Sequence, residues 1–92
     1  QQYERQFQTT ITIDKIAKVI EDLPGSQLVL QRDDYLYAQF TTSLLRFVDD
    51  VEFWFDPATG VVQVRSASRV GQKDFGVNRA RIENIRARVG LN

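Results

Sequence analysis

Cysteine, histidine and methionine are all missing from this chain, and only two prolines and five glycines punctuate its 92 residues. Without thiol or imidazole it cannot form a disulfide, a zinc or haem ligand set, a thiolate nucleophile or a histidine general base, which removes most familiar catalytic chemistry. Charge of one sign is missing too. Twelve Lys and Arg balance twelve Asp and Glu, so any electrostatic function is local. No stretch approaches the roughly 20 apolar residues of a membrane span, and the opening Gln1-Gln2-Tyr3-Glu4-Arg5 lacks the apolar run of a signal peptide. The start without Met is read as trimming or processing, a step that would remove any leader or lipid anchor. What is present, 42% hydrophobic and 26% charged residues, suits one small core and a single domain over residues 1–92.

The balanced charge is unevenly distributed. Residues 1–64 carry five basic and ten acidic groups, a net of −5, whereas residues 65–92 carry seven basic and two acidic groups, a net of +5. Internal pairing between an acidic sheet and a basic helix is the favoured reading, because exposed pairs form at little cost.

Apolar periodicity gives the elements. Ile13, Ile16, Ala17, Ile20 and Leu23 share one helical face over about 12–23, with Thr12 as the expected cap and Pro24-Gly25 as the stop. Gln27–Gln31 and Tyr35–Thr41 read as a hairpin around Arg32-Asp33-Asp34, with Gln31 opposite Tyr35 so that Leu28, Leu30, Leu36, Ala38 and Phe40 share a face. Val51–Phe55 and Val62–Arg65 alternate on either side of Asp56-Pro57-Ala58-Thr59-Gly60. Setting Phe55 opposite Val62 and Phe53 opposite Val64 also sets Glu52 opposite Arg65. A final amphipathic helix over about 78–89 buries Ile82, Ile85 and Val89, has Asn78 as its expected cap and turns Arg79, Arg81, Arg86 and Arg88 elsewhere.

The expected architecture is therefore α+β, a four-stranded antiparallel sheet with two helices packed on one face in the order α-β-β-β-β-α. The other face would carry Tyr35, Tyr37 and Trp54 beside Glu52, Gln63 and Arg65, a candidate interaction surface because it is more aromatic than solvent alone requires.

The chemistry-bearing stretch is Ser66–Gly76, where two hydroxyls, Arg69 and two glycines lead into the basic helix. Backbone N–H groups, hydroxyls and Arg donors are the parts an anionic ligand uses, although neither dinucleotide nor P-loop spacing is present. Structural pairing of these Arg residues with Asp49, Asp50 and Glu52 is the competing reading. Ser66 or Ser68 could serve as a nucleophile only with Lys73 or a carboxylate as base. Asp49 and Asp50 are adjacent, so a strand sends them to opposite faces. Asp33, Asp34, Asp49, Asp50 and Asp56 lack EF-hand order, so no metal and no cofactor is expected. Balanced charge and the absence of RNP-type aromatic spacing argue against nucleic acid, and the last helix lacks the aromatic anchors of a membrane-surface helix.

Three stretches, Phe47–Phe53, Val64–Gly71 and Asp74–Glu83, together resemble the signature of the domain-of-unknown-function family numbered 1499. The likeness is dense in the C-terminal half and follows a general pattern before it, through Pro24-Gly25 and Asp34-Tyr35-Leu36-Tyr37-Ala38. Gln72-Lys73 stand where an aromatic-Ser pair is expected and Phe75 where a Leu is expected. The resemblance implies that Asp50, Arg65, Ser66, Ser68, Arg69, Asp74, Asn78 and Arg79 form one cluster. It also implies an exported or lipoprotein-type bacterial protein, or a plastid protein, with its leader removed, and it carries no activity.

The functional expectation is a small non-enzymatic binding or interaction domain, with an anion or acidic-partner site at Arg65, Ser66, Ser68, Arg69, Asp74, Asn78 and Arg79. The alternative is a cofactor-free hydrolase or transferase using Ser66 or Ser68.

Overall fold

The computed structural model describes residues 2–7, 13–42, 46–69 and 76–90, the first segment by its backbone alone. Seven elements follow in order: β1 (Gln2–Phe7), α1 (Ile13–Glu21), β2 (Ser26–Gln31), β3 (Tyr35–Thr41), β4 (Val48–Asp56), β5 (Val61–Ser68) and α2 (Val77–Gly90). The expected α-β-β-β-β-α unit is present, and β1 adds a fifth strand on the free edge of β5. All neighbours in the sheet, ordered β1-β5-β4-β3-β2, are antiparallel.

Alternation along the strands decides what each face carries. Leu36, Ala38 and Phe40 of β3, Val51 and Phe53 of β4, and Val62 and Val64 of β5 point to one side and are buried there. Ile13, Ile16, Ala17 and Ile20 of α1, with Ile82, Ile85 and Val89 of α2, close over them as a single core. Both helices therefore sit on one face. The expected register of the last hairpin holds at Phe53↔Val64, Glu52↔Arg65 and Phe55↔Val62, although Phe55 lies at the sheet's end and stays 39% exposed.

The first hairpin departs from expectation. Leu28 sits opposite Ala38 as the apolar pattern requires, but a bulge between Leu28 and Leu30 shifts the pairing by one, so that Leu30 meets Tyr37. One extra residue turns the following side chains over, and Leu30 ends 40% exposed on the face away from the core. The turn narrows accordingly. Arg32 N–H donates to the Tyr35 carbonyl at 2.7 Å, leaving Asp33-Asp34 as the loop.

Helix ends are set by local chemistry. Asp22 and Leu23 N–H groups donate to carbonyls three residues back, and the Ser26 hydroxyl donates to the carbonyls of Ile20 (2.7 Å) and Leu23 (2.8 Å), which finishes α1 two residues before its apolar pattern ends. Gly25 has φ +77°, and a Cβ there would lie 2.4 Å from the Thr41 carbonyl oxygen, so the residue serves both the left-handed exit and the close approach of β3. The expected Thr12 cap lies outside the described residues. Asn78 is no cap: α2 begins at Val77, and Asn78 is fully buried within it.

Phe53 is the largest fully buried side chain and sits on β4, next to both hairpin partners. Phe53→Ala is expected to cost about 3–5 kcal/mol in urea unfolding, whereas Val29→Ala, at the exposed bulge, should stay within about 0.5 kcal/mol. Equal losses at the two positions would contradict this placement of the core.

Candidate functional site

The sheet divides the polar side chains into two systems. On the helix face, alternation with Val51 and Phe53 places the Asp49 carboxylate among apolar neighbours, 2% exposed. A charge so buried requires a partner, and α2 supplies it. Arg81 Nη2 donates to Asp49 Oδ2 at 2.7 Å, while Nη1 donates to Asn78 Oδ1 at 2.8 Å and to Ser66 Oγ at 3.2 Å. The Ser66 hydroxyl donates to Asn78 Oδ1 at 2.6 Å, and Asn78 Nδ2 donates to Ser68 Oγ at 3.0 Å. The Arg81 guanidinium also lies 4.7 Å from the Phe40 ring centroid. Asn78 and Arg81 reach one network because residues three apart share a helix face. No buried side-chain polar atom is left unsatisfied among the described residues.

On the open face, Asp50 points the other way. Arg69 grips it with two donors, Nε to Oδ2 at 2.9 Å and Nη2 to Oδ1 at 3.0 Å, and Nη2 also reaches the Tyr37 hydroxyl at 3.3 Å. The Tyr37 hydroxyl donates to Asp50 Oδ1 in turn. One step along, the Tyr35 hydroxyl donates to Glu52 Oε2 at 2.7 Å, and Glu52 pairs with Arg65 at 3.7 Å. Each tyrosine of β3 thus leans to a carboxylate of β4, which meets an arginine from the β5 side. Arg69 holds the Asp50 carboxyl below the usual carboxylate range against the opposing effect of partial burial, with help from Tyr37. Burial and the Glu52 carboxylate push the Tyr35 phenol up to about 12.

A third feature is a cleft of about 840 Å³ between the end of α1 and the first half of α2. Its walls are Leu23, Pro24, Gly25, Phe40, Val77 and Ala80, and its polar groups come from Thr41, Thr42, Arg46, Arg81 and Asn84. Among the described residues no carboxylate lines it. Arg46, held at φ 58°, is exposed at the cleft, and its side chain pairs with no described residue. Among the described residues no three carboxylates converge as a metal site, and no helix is long and apolar enough to cross a membrane.

A protein-family model, described as a protein of unknown function, DUF1499, matches residues 2–89. The chain belongs to the DUF1499 family. The match runs from the start of β1 to the last turn of α2, so DUF1499 membership extends over the N-terminal half, where the sequence signature is sparse. Comparison with curated proteins and with solved structures finds no match.

The residues expected to form one DUF1499 cluster are separated by the sheet. Ser66, Ser68 and Asn78 lie together on the helix face, while Asp50, Arg65 and Arg69 lie on the open face with Tyr35, Tyr37 and Trp54. Arg79 is exposed in the first turn of α2, and Asp74 lies outside the described residues. Arg81, expected to turn away from the core, is the centre of the buried network. The signal for it was Asp49: its parity with Val51 and Phe53 places a carboxylate on the apolar face and so demands a cation opposite.

The pH dependence has a definite sign. A phenol whose folded value is raised to about 12 contributes stability that is complete below its unfolded value of about 10 and is lost as pH rises from there. Between about pH 10 and pH 12 the melting temperature of the wild type should therefore fall more steeply than that of Tyr35→Phe. Parallel curves would remove the Tyr35–Glu52 bond from the account.

Proposed function

We propose that this domain is a binding module and not a catalyst, and that its ligand, an apolar body with one acidic group, seats in the cleft beside α2. The carrying observation is the lining among the described residues: apolar walls, two arginines and no carboxylate, in a chain whose net charge is zero. Asp49 already compensates Arg81, so Arg46 is the cation that meets the ligand's acidic group, while Leu23, Pro24 and Val77 meet its apolar part. Anion recognition thus shifts away from Arg65 and Arg69, whose guanidinium groups already hold Glu52 and Asp50.

The local chemistry of the serines supports binding over catalysis. A nucleophilic hydroxyl needs a base to accept its proton, but the Ser66 hydroxyl is fully buried and donates to an amide oxygen, while accepting from Arg81. Ser68 accepts from Asn78 and has no basic group bonded to it among the described residues. These contacts weigh against the hydrolase or transferase reading.

Thermal unfolding against decanoate, decyl phosphate and decanol tests the proposal. The two acids should stabilise the domain, by about 2.7 kcal/mol at 100 times the dissociation constant, with decanol far weaker. Arg46→Ala should weaken acid binding about tenfold to 100-fold while leaving the unliganded melting temperature within a few degrees. Indifference to all three compounds, or equal binding by Arg46→Ala, would overturn it.

A further inference from the structure

The cleft beside α2 is one-sided in its hydrogen bonding as well as in its charge. Acceptors along its lining are engaged within the protein. The Leu23 carbonyl accepts from the Ser26 hydroxyl at 2.8 Å, the Gly25 carbonyl from Thr41 N–H at 2.9 Å, and the Thr42 carbonyl from Arg46 N–H at 3.0 Å. Thr42 Oγ1 accepts from Phe47 N–H at 2.9 Å, and Asn84 Oδ1 accepts from Arg88 Nε at 3.2 Å. Donors are left over: the Arg46 guanidinium, the Thr42 hydroxyl proton and the Asn84 Nδ2 amide meet no acceptor among the described residues. We infer that the acidic group received there is a phosphate monoester on an apolar body and not a carboxylate, an inference that rests on the cleft being the ligand's seat.

The kind and origin of these donors carry the argument. Thr42 N–H donates to the Phe47 carbonyl at 2.8 Å and Phe47 N–H returns to Thr42 Oγ1, which ties Thr42 to the start of the next strand, beside Arg46. Asn84 comes from a different element, one turn beyond Ala80 on α2. A carboxylate has two oxygens in one plane, and a single guanidinium fork covers them with two parallel bonds. Hydroxyl and amide donors on other elements add little to that match. A phosphate monoester spreads three terminal oxygens tetrahedrally, so two can take the Arg46 fork while the third turns to the Thr42 hydroxyl or the Asn84 amide.

The walls decide the other end of the ligand. Leu23, Pro24 and Val77 line the cleft, and Val77 is 40% exposed there. Covering them removes apolar surface from water, which inorganic phosphate cannot do and an alkyl ester can. A head group that brings its own donors, such as an ammonium, meets further donors and the Arg46 charge. The cleft therefore selects on both counts, for an acceptor-only head and for an apolar tail.

Calorimetric titration with decyl phosphate, decanoate and inorganic phosphate tests the inference. The wild type should bind decyl phosphate at least about tenfold tighter than decanoate and at least about 100-fold tighter than inorganic phosphate. The ester also carries more charge than decanoate, so two neutral substitutions separate geometry from charge. Asn84→Ala and Thr42→Val should each weaken decyl phosphate binding about tenfold and shift decanoate binding by less than about twofold. Should Thr42→Val fail to fold, Asn84→Ala decides alone, because Asn84 is exposed on α2 and alanine suits a helix. Decanoate bound as tightly as decyl phosphate, a phosphate preference unchanged in Asn84→Ala, or equal weakening of both ligands would overturn the choice of phosphate and leave the cleft as the seat of an acid. Inorganic phosphate bound as tightly as the ester would overturn the apolar half of the inference. Indifference to all three ligands would remove the cleft reading itself, and this inference with it.

Discussion

The buried ion pair between Asp49 and Arg81 is the constraint on which the helix side of this fold depends. Strand alternation places the Asp49 carboxylate among valines and phenylalanines, where it is intolerable alone, and α2 must present a cation at one position to compensate it. Ser66 and Asn78 then take up the remaining donors and acceptors, and Phe40 lies beneath the guanidinium. Apolar contacts from Ile82, Ile85 and Val89 would allow α2 some freedom to slide or rotate on the sheet. A directional network anchored on β4 and β5 removes that freedom. The cleft inherits its shape from this arrangement, because Val77, Ala80, Arg81 and Asn84 line it only while α2 sits where Asp49 holds it.

Two neighbouring aspartates show how a sheet divides labour. Asp49 and Asp50 differ by one residue and therefore by one face, so one serves a buried network and the other an exposed lattice. The exposed pairs add little stability individually. Their value is order: Tyr35 and Tyr37 are tied to carboxylates, which are tied to arginines, so the open face presents fixed rings and fixed charges. Preset side chains lose little entropy when a second surface covers them.

Much of the fold was legible because its strongest elements obey simple periods. The β4–β5 hairpin alternates without interruption, so its register, including Glu52 opposite Arg65, followed from matching the apolar faces. The helix faces of Ile13, Ile16 and Ile20 and of Ile82 and Ile85 followed in the same way. Strand β1 escaped because Tyr3-Glu4-Arg5-Gln6 has no apolar alternation, and its pairing is a backbone event along the β5 edge. The bulge escaped because Leu28-Val29-Leu30 is consistent with either face; only the narrow turn at Asp33-Asp34 forces the switch.

The candidate site was legible in its residue types and not in its grouping. Ser66, Ser68, Asn78, Arg65 and Arg69 are all engaged in polar networks, but the family resemblance joined what strand parity separates. Arg46 was hidden because nothing around it is periodic, and its role depends on a cleft that forms only in three dimensions. The placement of α2 depends on the coupling between Asp49 and Arg81, and a double-mutant cycle in urea measures it directly. Asp49→Asn and Arg81→Met should each cost about 3–5 kcal/mol, with the double variant well below their sum and a coupling of about 1–3 kcal/mol. Additive losses would mean that the two side chains act independently, and that α2 is held by its apolar face alone.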